Sequence, residues 1–257
     1  MEIRETAPEA IKEKIETLVN GGFRFGCHPG APCFTECCRD LNLQLTPYDL
    51  VRLKNRLCLS SGDFLDRFTV CRFEQDHPLP AIFLQMDENE RKSCPFVSPK
   101  GCTVYADRPS ACRVYPLARA SRLHRVHGRI LENYFILHED HCLGFQEERF
   151  WKMDEWLEDQ GLQDYNEYND LWMAIVTHPK LRNAHVPQER QQMFYLAAYD
   201  SDRFREMVIN SRFLSLFRID DNEIDQIRTR ETALLKLAFK WIQFFLLGEG
   251  TLKPRTP

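Results

Sequence analysis

Apolar and polar positions change their rhythm partway along the chain. From about Phe150 onward the apolar residues recur three and four positions apart. Trp151, Trp156 and Leu157 come first, followed by Tyr168, Leu171, Trp172 and Ile175. A later run, Ile224, Ile227, Leu234, Ala238, Trp241 and Phe245, keeps that spacing except at Glu231. One face of each segment is thus apolar at the helical period, which predicts a helical C-terminal half. Near the start, Thr6-x-x-Glu9 resembles a capping box, Ile11, Ile15 and Leu18 share a helical face, and Gly21-Gly22 supplies a stop, so a short amphipathic helix is expected there. Thr46 is placed to cap a helix with Pro47 in its first turn and Leu50, Leu53 and Leu57 on one face. A second short helix is expected from about Asp63. AIFLQM at 81–86 and RILENYFIL at 129–137 read as strands.

Between those strands Pro95, Pro99, Gly101, Pro109 and Pro116 interrupt the backbone too often for long regular elements. The expected fold class is α+β and predominantly helical: an irregular, loop-rich, cysteine-bearing region with short strands, then a helical remainder. Residues 1–148 are read as a cysteine-cluster domain and 149–257 as a helical region packed on it. The chain contains no internal repeat, Gly-rich phosphate loop or low-complexity tract.

Composition changes this picture in three ways. At 257 residues, with 43% hydrophobic and 28% charged, the chain can bury a core without crosslinks. A net charge of -4 lacks the basic footprint that nucleic-acid binding needs, so no nucleic-acid partner is expected. The opening MEIRETAPEA has no basic-then-apolar export pattern, and the apolar segment at 233–248 is broken by Lys236, Lys240 and Gln243. A cytoplasmic protein without a membrane partner is expected, with that late segment as a core or docking helix.

Ten cysteines in such a compartment should stay reduced, and thiols this dense point to metal ligation over disulfides. Eight are the candidate ligands: Cys27, Cys33, Cys37 and Cys38 as a first group, and Cys94, Cys102, Cys112 and Cys142 as a second. Thiolate is soft and selects zinc or iron–sulfur over magnesium or calcium. The tandem Cys37-Cys38 bears on the choice, because adjacent side chains of an extended backbone point apart and more readily serve two metals or two irons than one small ion. An iron–sulfur cluster, of the 4Fe–4S type, is therefore the expected cofactor, with zinc as the alternative. Clustered thiolates leave negative charge to be offset, and Arg39, Arg108 and Arg113 flank the ligands as candidate cofactor-binding residues. Cys58, beside Leu57, and Cys71 are read as packing residues. His28 and His141 adjoin ligands but are read as surface or hydrogen-bonded histidines. Tyr105, Tyr115 and the Trp241, Phe244 and Phe245 face are read as core. Asp49 and Asp107 are read either as orienting the arginines or as local caps.

The stretch from Cys27 to Cys142 resembles the YkgJ family of cysteine-cluster proteins, described as zinc- or iron-chelating domains. The matching residues are Cys37-Cys38 with the upstream cysteines, Leu45-Thr46-Pro47-Tyr48-Asp49, Cys94-Pro-Phe, Gly101-Cys102 through Tyr105, Arg108-Pro109, Cys112-Arg113 and Tyr115-Pro116, and Cys142-x-Gly144. The family's first motif spaces its cysteines C-x2-C-x2-C-C, whereas here the intervals are five, three and none. The resemblance extends more distantly to flagellin lysine N-methylases, which implies a methyl-transfer alternative, although no motif for S-adenosylmethionine stands in the sequence. Three functions follow as expectations: a redox or electron-transfer module holding an iron–sulfur cluster, a zinc-stabilised interaction protein that binds a protein partner, and a lysine methyltransferase-like enzyme.

Overall fold

The structure, a computed structural model, describes residues 14–18, 21–74, 77–124 and 127–255. With 46% helix and 19% strand, short strands in the N-terminal half and helices in the C-terminal half, the fold is mixed α+β and mostly helical. In chain order the elements are β1 (Ile15–Thr17), β2 (Gly22–Arg24), β3 (Gln44–Leu45), α1 (Pro47–Arg56), α2 (Ser61–Phe68), β4 (Thr69–Phe73), β5 (Pro80–Leu84), β6 (Val97–Ser98) and β7 (Gly101–Cys102). They continue with α3 (Ser110–Val114), β8 (Leu117–His124), β9 (Arg129–Leu137), β10 (Phe150–Lys152), α4 (Met153–Asp159) and α5 (Gln163–Val176). The last are α6 (Gln188–Tyr199), α7 (Ser201–Asn210), α8 (Phe213–Leu216), α9 (Asp221–Thr229) and α10 (Glu231–Ile242).

Contacts divide the chain into two units, each built from two stretches: residues 1–43 with 85–170, and residues 44–84 with 171–257. The stretch 44–84 groups with residues 171–257. All eight candidate ligands fall in the first unit, and Cys58 and Cys71 in the second.

In the first unit, β1, β9 and β8 form an antiparallel sheet, and β10 pairs with β2. Ile15 is therefore in a strand, opposite Leu137, and not in the expected amphipathic helix. A pattern of three apolar residues is too short to separate the two periods, and pairing to a distant strand decides it. The capping-box residues Thr6 and Glu9, with Ile11, lie outside the described residues. The core of this unit is aromatic. Phe25 meets Trp156, Phe145 and Tyr115 edge-on at centroid separations of 5.7, 5.4 and 5.9 Å, an arrangement that complements ring quadrupoles. Both tryptophans satisfy their indole N–H on backbone, Trp151 on the Phe25 carbonyl and Trp156 on the Val114 carbonyl.

In the second unit, β5 lies between β3 and β4, and helices α1, α2, α6, α7, α9 and α10 surround a core that includes Phe64, Phe194, Phe204, Tyr199 and Ile242, each at most 1% exposed. Helix α1 begins where its cap dictates. The Thr46 hydroxyl accepts from the Asp49 amide, and the Asp49 carboxylate accepts from the Thr46 amide at 2.9 Å, a reciprocal box that identifies Asp49 as a cap. The late apolar run is two helices, because Arg230 is extended and at once ends α9 and begins α10. Helix α10 continues as a π turn over Gln243–Leu247, with Trp241 buried and stacked on Phe245 at 4.9 Å. Among the described residues no helix is long and apolar enough to cross a membrane.

Helix α1 is tied to the rest of its unit by Lys54, which is buried and reaches Glu231 at 3.1 Å and Asp202 at 3.5 Å. Burial works against the Asp202 carboxylate, but the Ser61 amide donating at 2.7 Å and the Lys54 charge outweigh it and hold its pKa below the ordinary value. A carboxylate depressed in the folded state contributes stability that is complete above its unfolded pKa and is lost as pH falls through its folded one. Asp202→Asn should therefore lower the melting temperature at neutral pH and narrow its gap to wild type below about pH 4. Parallel melting curves from pH 7 to pH 3 check this, and a pH-independent gap would refute it.

Candidate metal centre

Three stretches of the first unit bring the cysteines together. The first is residues 25–38. Its extended start runs beside residues 142–149, with the Phe25 amide donating to the Arg149 carbonyl at 2.9 Å and the Gly26 amide to the Gly144 carbonyl at 3.0 Å. This approach requires glycine on both sides. A Cβ on Gly144 would lie 2.6 Å from the Phe25 ring and 2.7 Å from the Gly26 carbonyl, and one on Gly26 would lie 2.7 Å from Glu147. Cys27 and Cys142 are thereby carried on adjoining strands of backbone. The chain then turns through His28–Ala31 and Ala31–Phe34 to place Cys33 where its sulfur accepts from the Leu143 amide at 3.3 Å.

Glu36–Cys38 is a single turn of 3-10 helix, and past it the backbone runs antiparallel to residues 92–94. The Cys94 amide donates to the Cys38 carbonyl at 2.8 Å, and the Asp40 amide to the Lys92 carbonyl at 2.9 Å. Cys94 leads into the β6–β7 hairpin, in which Cys102 pairs with Val97. Gly101, the first residue of β7, has φ +108, open to glycine, and sits against the Phe34 ring. Cys112 lies on the exposed side of α3, where it faces Arg108.

All ten cysteines are free thiols. Their mutual influence defines the cluster: Cys27 is acted on by Cys37, Cys33 and Cys142, Cys94 by Cys102 and Cys37, and Cys102 by Cys37. Dense surroundings push the Cys27 thiol up to about 11 even though part of the residue is exposed, with Cys37 as the next contribution. Burial likewise pushes Cys94 up to about 11. Cys37 is raised first by its hydrogen bond with Cys38 and then by burial. Each shift has the same meaning, that bare thiolates are disfavoured here until a cation offsets their charge.

That contact between the Cys37 and Cys38 thiols corrects an expectation. The two residues are not on extended backbone with side chains pointing apart; the 3-10 turn keeps their sulfurs within reach of each other. The geometric reason for preferring iron–sulfur over zinc is thereby removed.

The arginines take three different positions. Arg108 is buried, stacks on the Tyr105 ring at 3.8 Å, and donates to the Tyr105 carbonyl and to the Gln160 side chain; its charge acts on Cys27, Cys102 and Cys112. Arg113 is also buried but is directed to the carbonyls of Gln160 and Ala106, with its guanidinium over the Tyr165 ring at 4.6 Å. Arg39 pairs with Glu36 at 3.0 Å, leaving a buried Nη1 without a partner. Gln160, which no sequence pattern marks, thus holds two arginines from the end of α4. The chain then turns at Gly161 (φ +58), where a Cβ would stand 3.5 Å from Arg113 Nη1.

Several of the other sequence assignments are revised. Cys58 is exposed, just past the end of α1 at φ 54, and Cys71 is exposed on β4, so neither is a core residue. Tyr105 is 60% exposed and serves as the platform for Arg108. Tyr115 does pack on the aromatic core, and its buried hydroxyl, without a hydrogen-bond partner of ordinary geometry, is influenced by Cys142, which packs on the same core. His28 is exposed and hydrogen-bonded, its Nδ1 accepting from the Gly30 amide and its Nε2 3.2 Å from Glu147.

Among the described residues no group of three or more His, Cys, Asp or Glu side chains stands ready-formed to hold a metal ion. The donor chemistry nevertheless fits one: neighbouring soft sulfurs, a backbone N–H already on Cys33, a buried arginine charge, and unpartnered buried donors at Arg39 and Tyr115 suited to thiolate acceptors.

Residues 26–146 match the family model CxxCxxCC, whose description is "Putative zinc- or iron-chelating domain". The match takes in all eight candidate cysteines and supports a metal-binding role. No curated protein and no solved structure matches the chain, and the resemblance to flagellin lysine N-methylases gains no support.

Proposed function

We propose that this protein is a cytoplasmic redox module that holds an iron–sulfur centre, of the 4Fe–4S type, through the thiolates of its first unit. The observation that carries this reading is the backbone pairing that brings free cysteines from three separate stretches together, Cys142 beside Cys27 and Cys33, and Cys94 beside Cys38. A sulfur donor set suits iron–sulfur chemistry. Arg108 would offset the charge of the centre, and the Leu143 amide and Tyr115 hydroxyl would donate to its sulfurs, the levers that set a reduction potential. Cys27 and Cys37 keep exposed surface, which gives an electron partner an edge to approach.

One observation favours a second reading. Because Cys37 and Cys38 share a tight turn with their thiols in contact, both can face a single ion, as a zinc-stabilised interaction module would require.

Purification without oxygen, followed by visible spectroscopy and elemental analysis for iron, sulfide and zinc, tests the two. The iron–sulfur reading expects a brown protein with broad visible absorption and matching iron and acid-labile sulfide. A colourless protein carrying stoichiometric zinc would overturn it in favour of the second. A protein that retains neither metal would overturn both.

A further inference from the structure

We infer that the thiols work crosswise and not in their order along the chain: Cys142 joins Cys27 and Cys33, while Cys94 and Cys102 join the turn that carries Cys37 and Cys38. This rests on the metal-binding reading above, but not on the identity of the metal.

Two backbone pairings carry the argument. Residues 25–27 lie against residues 142–149 through two main-chain hydrogen bonds and a pair of glycines that leave no room for a side chain. The same neighbourhood puts the Leu143 amide on the Cys33 sulfur. Cys142 is thereby fixed beside the first two cysteines of the chain, more than a hundred residues away in sequence. Independently, residues 38–40 pair with 92–94, so Cys94 is adjacent to Cys38 by a direct main-chain bond, and the β6–β7 hairpin turns Cys102 back toward the same loop, with the neighbouring Gly101 against Phe34. A division by sequence into 27–38 and 94–142 would have to break both pairings.

Cys37 precedes Cys38 on the single 3-10 turn Glu36–Cys38, so the second set is Cys37, Cys38, Cys94 and Cys102, the four sulfurs that a tetrahedral zinc site or a 4Fe–4S cluster takes, and the first is Cys27, Cys33 and Cys142. Cys112, exposed on α3, belongs to neither backbone pairing.

The test is metal per chain, measured by elemental analysis on the full-length protein and on Cys→Ser variants purified without oxygen. Cys142→Ser should lose the same share of metal as Cys27→Ser, about half of the total, and the double variant should lose no more than either single one. Cys94→Ser and Cys38→Ser should form a second equivalent pair, and a Cys142→Ser/Cys94→Ser double variant should lose nearly all of the metal. Cys37→Ser should lose the same share as Cys38→Ser. Cys142→His, which restores a ligand, should recover metal if the loss in Cys142→Ser reflects ligation; no recovery would count against Cys142 as a ligand. The inference is overturned if Cys142→Ser behaves as a pair with Cys94→Ser, or if every variant loses all of its metal. A wild-type protein without metal would instead defeat the metal-binding reading on which the inference rests.

Discussion

Arg108→Ala should lower metal retention about 10- to 100-fold, the range expected when a group that supports metal ligands is removed. The guanidinium is buried, and its charge reaches Cys27, Cys102 and Cys112 from one position. It is also held rigidly, by the Tyr105 carbonyl, the Gln160 side chain and the Tyr105 ring, so its charge does not relax away from the sulfurs. Lysine is a poor substitute, because a point charge on a flexible stem cannot stack on the ring and fork to two acceptors at once. Arg108→Lys should therefore recover only part of the loss. Arg113→Ala supplies the contrast: its donors go to the carbonyls of Gln160 and Ala106, so its removal should destabilise the loops around α3 more than it weakens metal retention. Competition with a chelator, alongside thermal melting of each variant, separates the two effects. Equal metal loss in both variants at equal stability would refute the distinction.

Phe64→Ala should destabilise the second unit by about 3–5 kcal/mol, the usual result of emptying a fully buried aromatic site. Phe64 has no exposed surface and meets Phe68 at a centroid distance of 5.6 Å. Its helix cannot readily shift to close the space, because Ser60 caps it through the Asp63 amide and Ser61 is bound to both Asp200 and Asp202. Phe64→Leu, which keeps most of the volume, should cost less than half as much. Denaturant unfolding measures both, and a loss below ~1 kcal/mol for the alanine variant would show that the site collapses.

Local signals in the sequence were read well where the determinant is itself local. Thr46 and Asp49 set the start of α1 through bonds three residues apart, and RILENYFIL, read as a strand, is β9 from Arg129 to Leu137. Gly and Pro spacing anticipated that no long regular element would form between Cys94 and Tyr115, where the structure has a two-strand hairpin and short helical turns. Where a distant partner decides, the sequence was silent or misleading. Ile15 belongs to a strand because Leu137 pairs with it. Cys58 next to Leu57 looked like the end of a buried helical face, but α1 stops at Arg56 and the left-handed turn after it leaves the thiol exposed. The cysteines themselves were legible as a set, since their density and types need no structure to be noticed. Their neighbours were not, because nothing in the order of residues reveals that a side chain at Gly144 would run into the Phe25 ring and the Gly26 carbonyl, or one at Gly26 into Glu147.

The first unit closes only when its second stretch arrives, and this affects how the protein is made. Cys27, Cys33, Cys37 and Cys38 leave the ribosome early, the chain then spends residues 44–84 building part of the other unit, and Cys142 follows last of all. At about 5–20 residues per second, the early thiols wait roughly 5–20 s for the final one. During translation they are reactive groups without a finished fold around them, exposed to oxidants and to whichever metal binds thiols fastest. Faithful loading of this protein is then a matter of timing as well as affinity, and a slower ribosome or an oxidising cell would be expected to lower the yield of correctly loaded chains before any folded molecule exists.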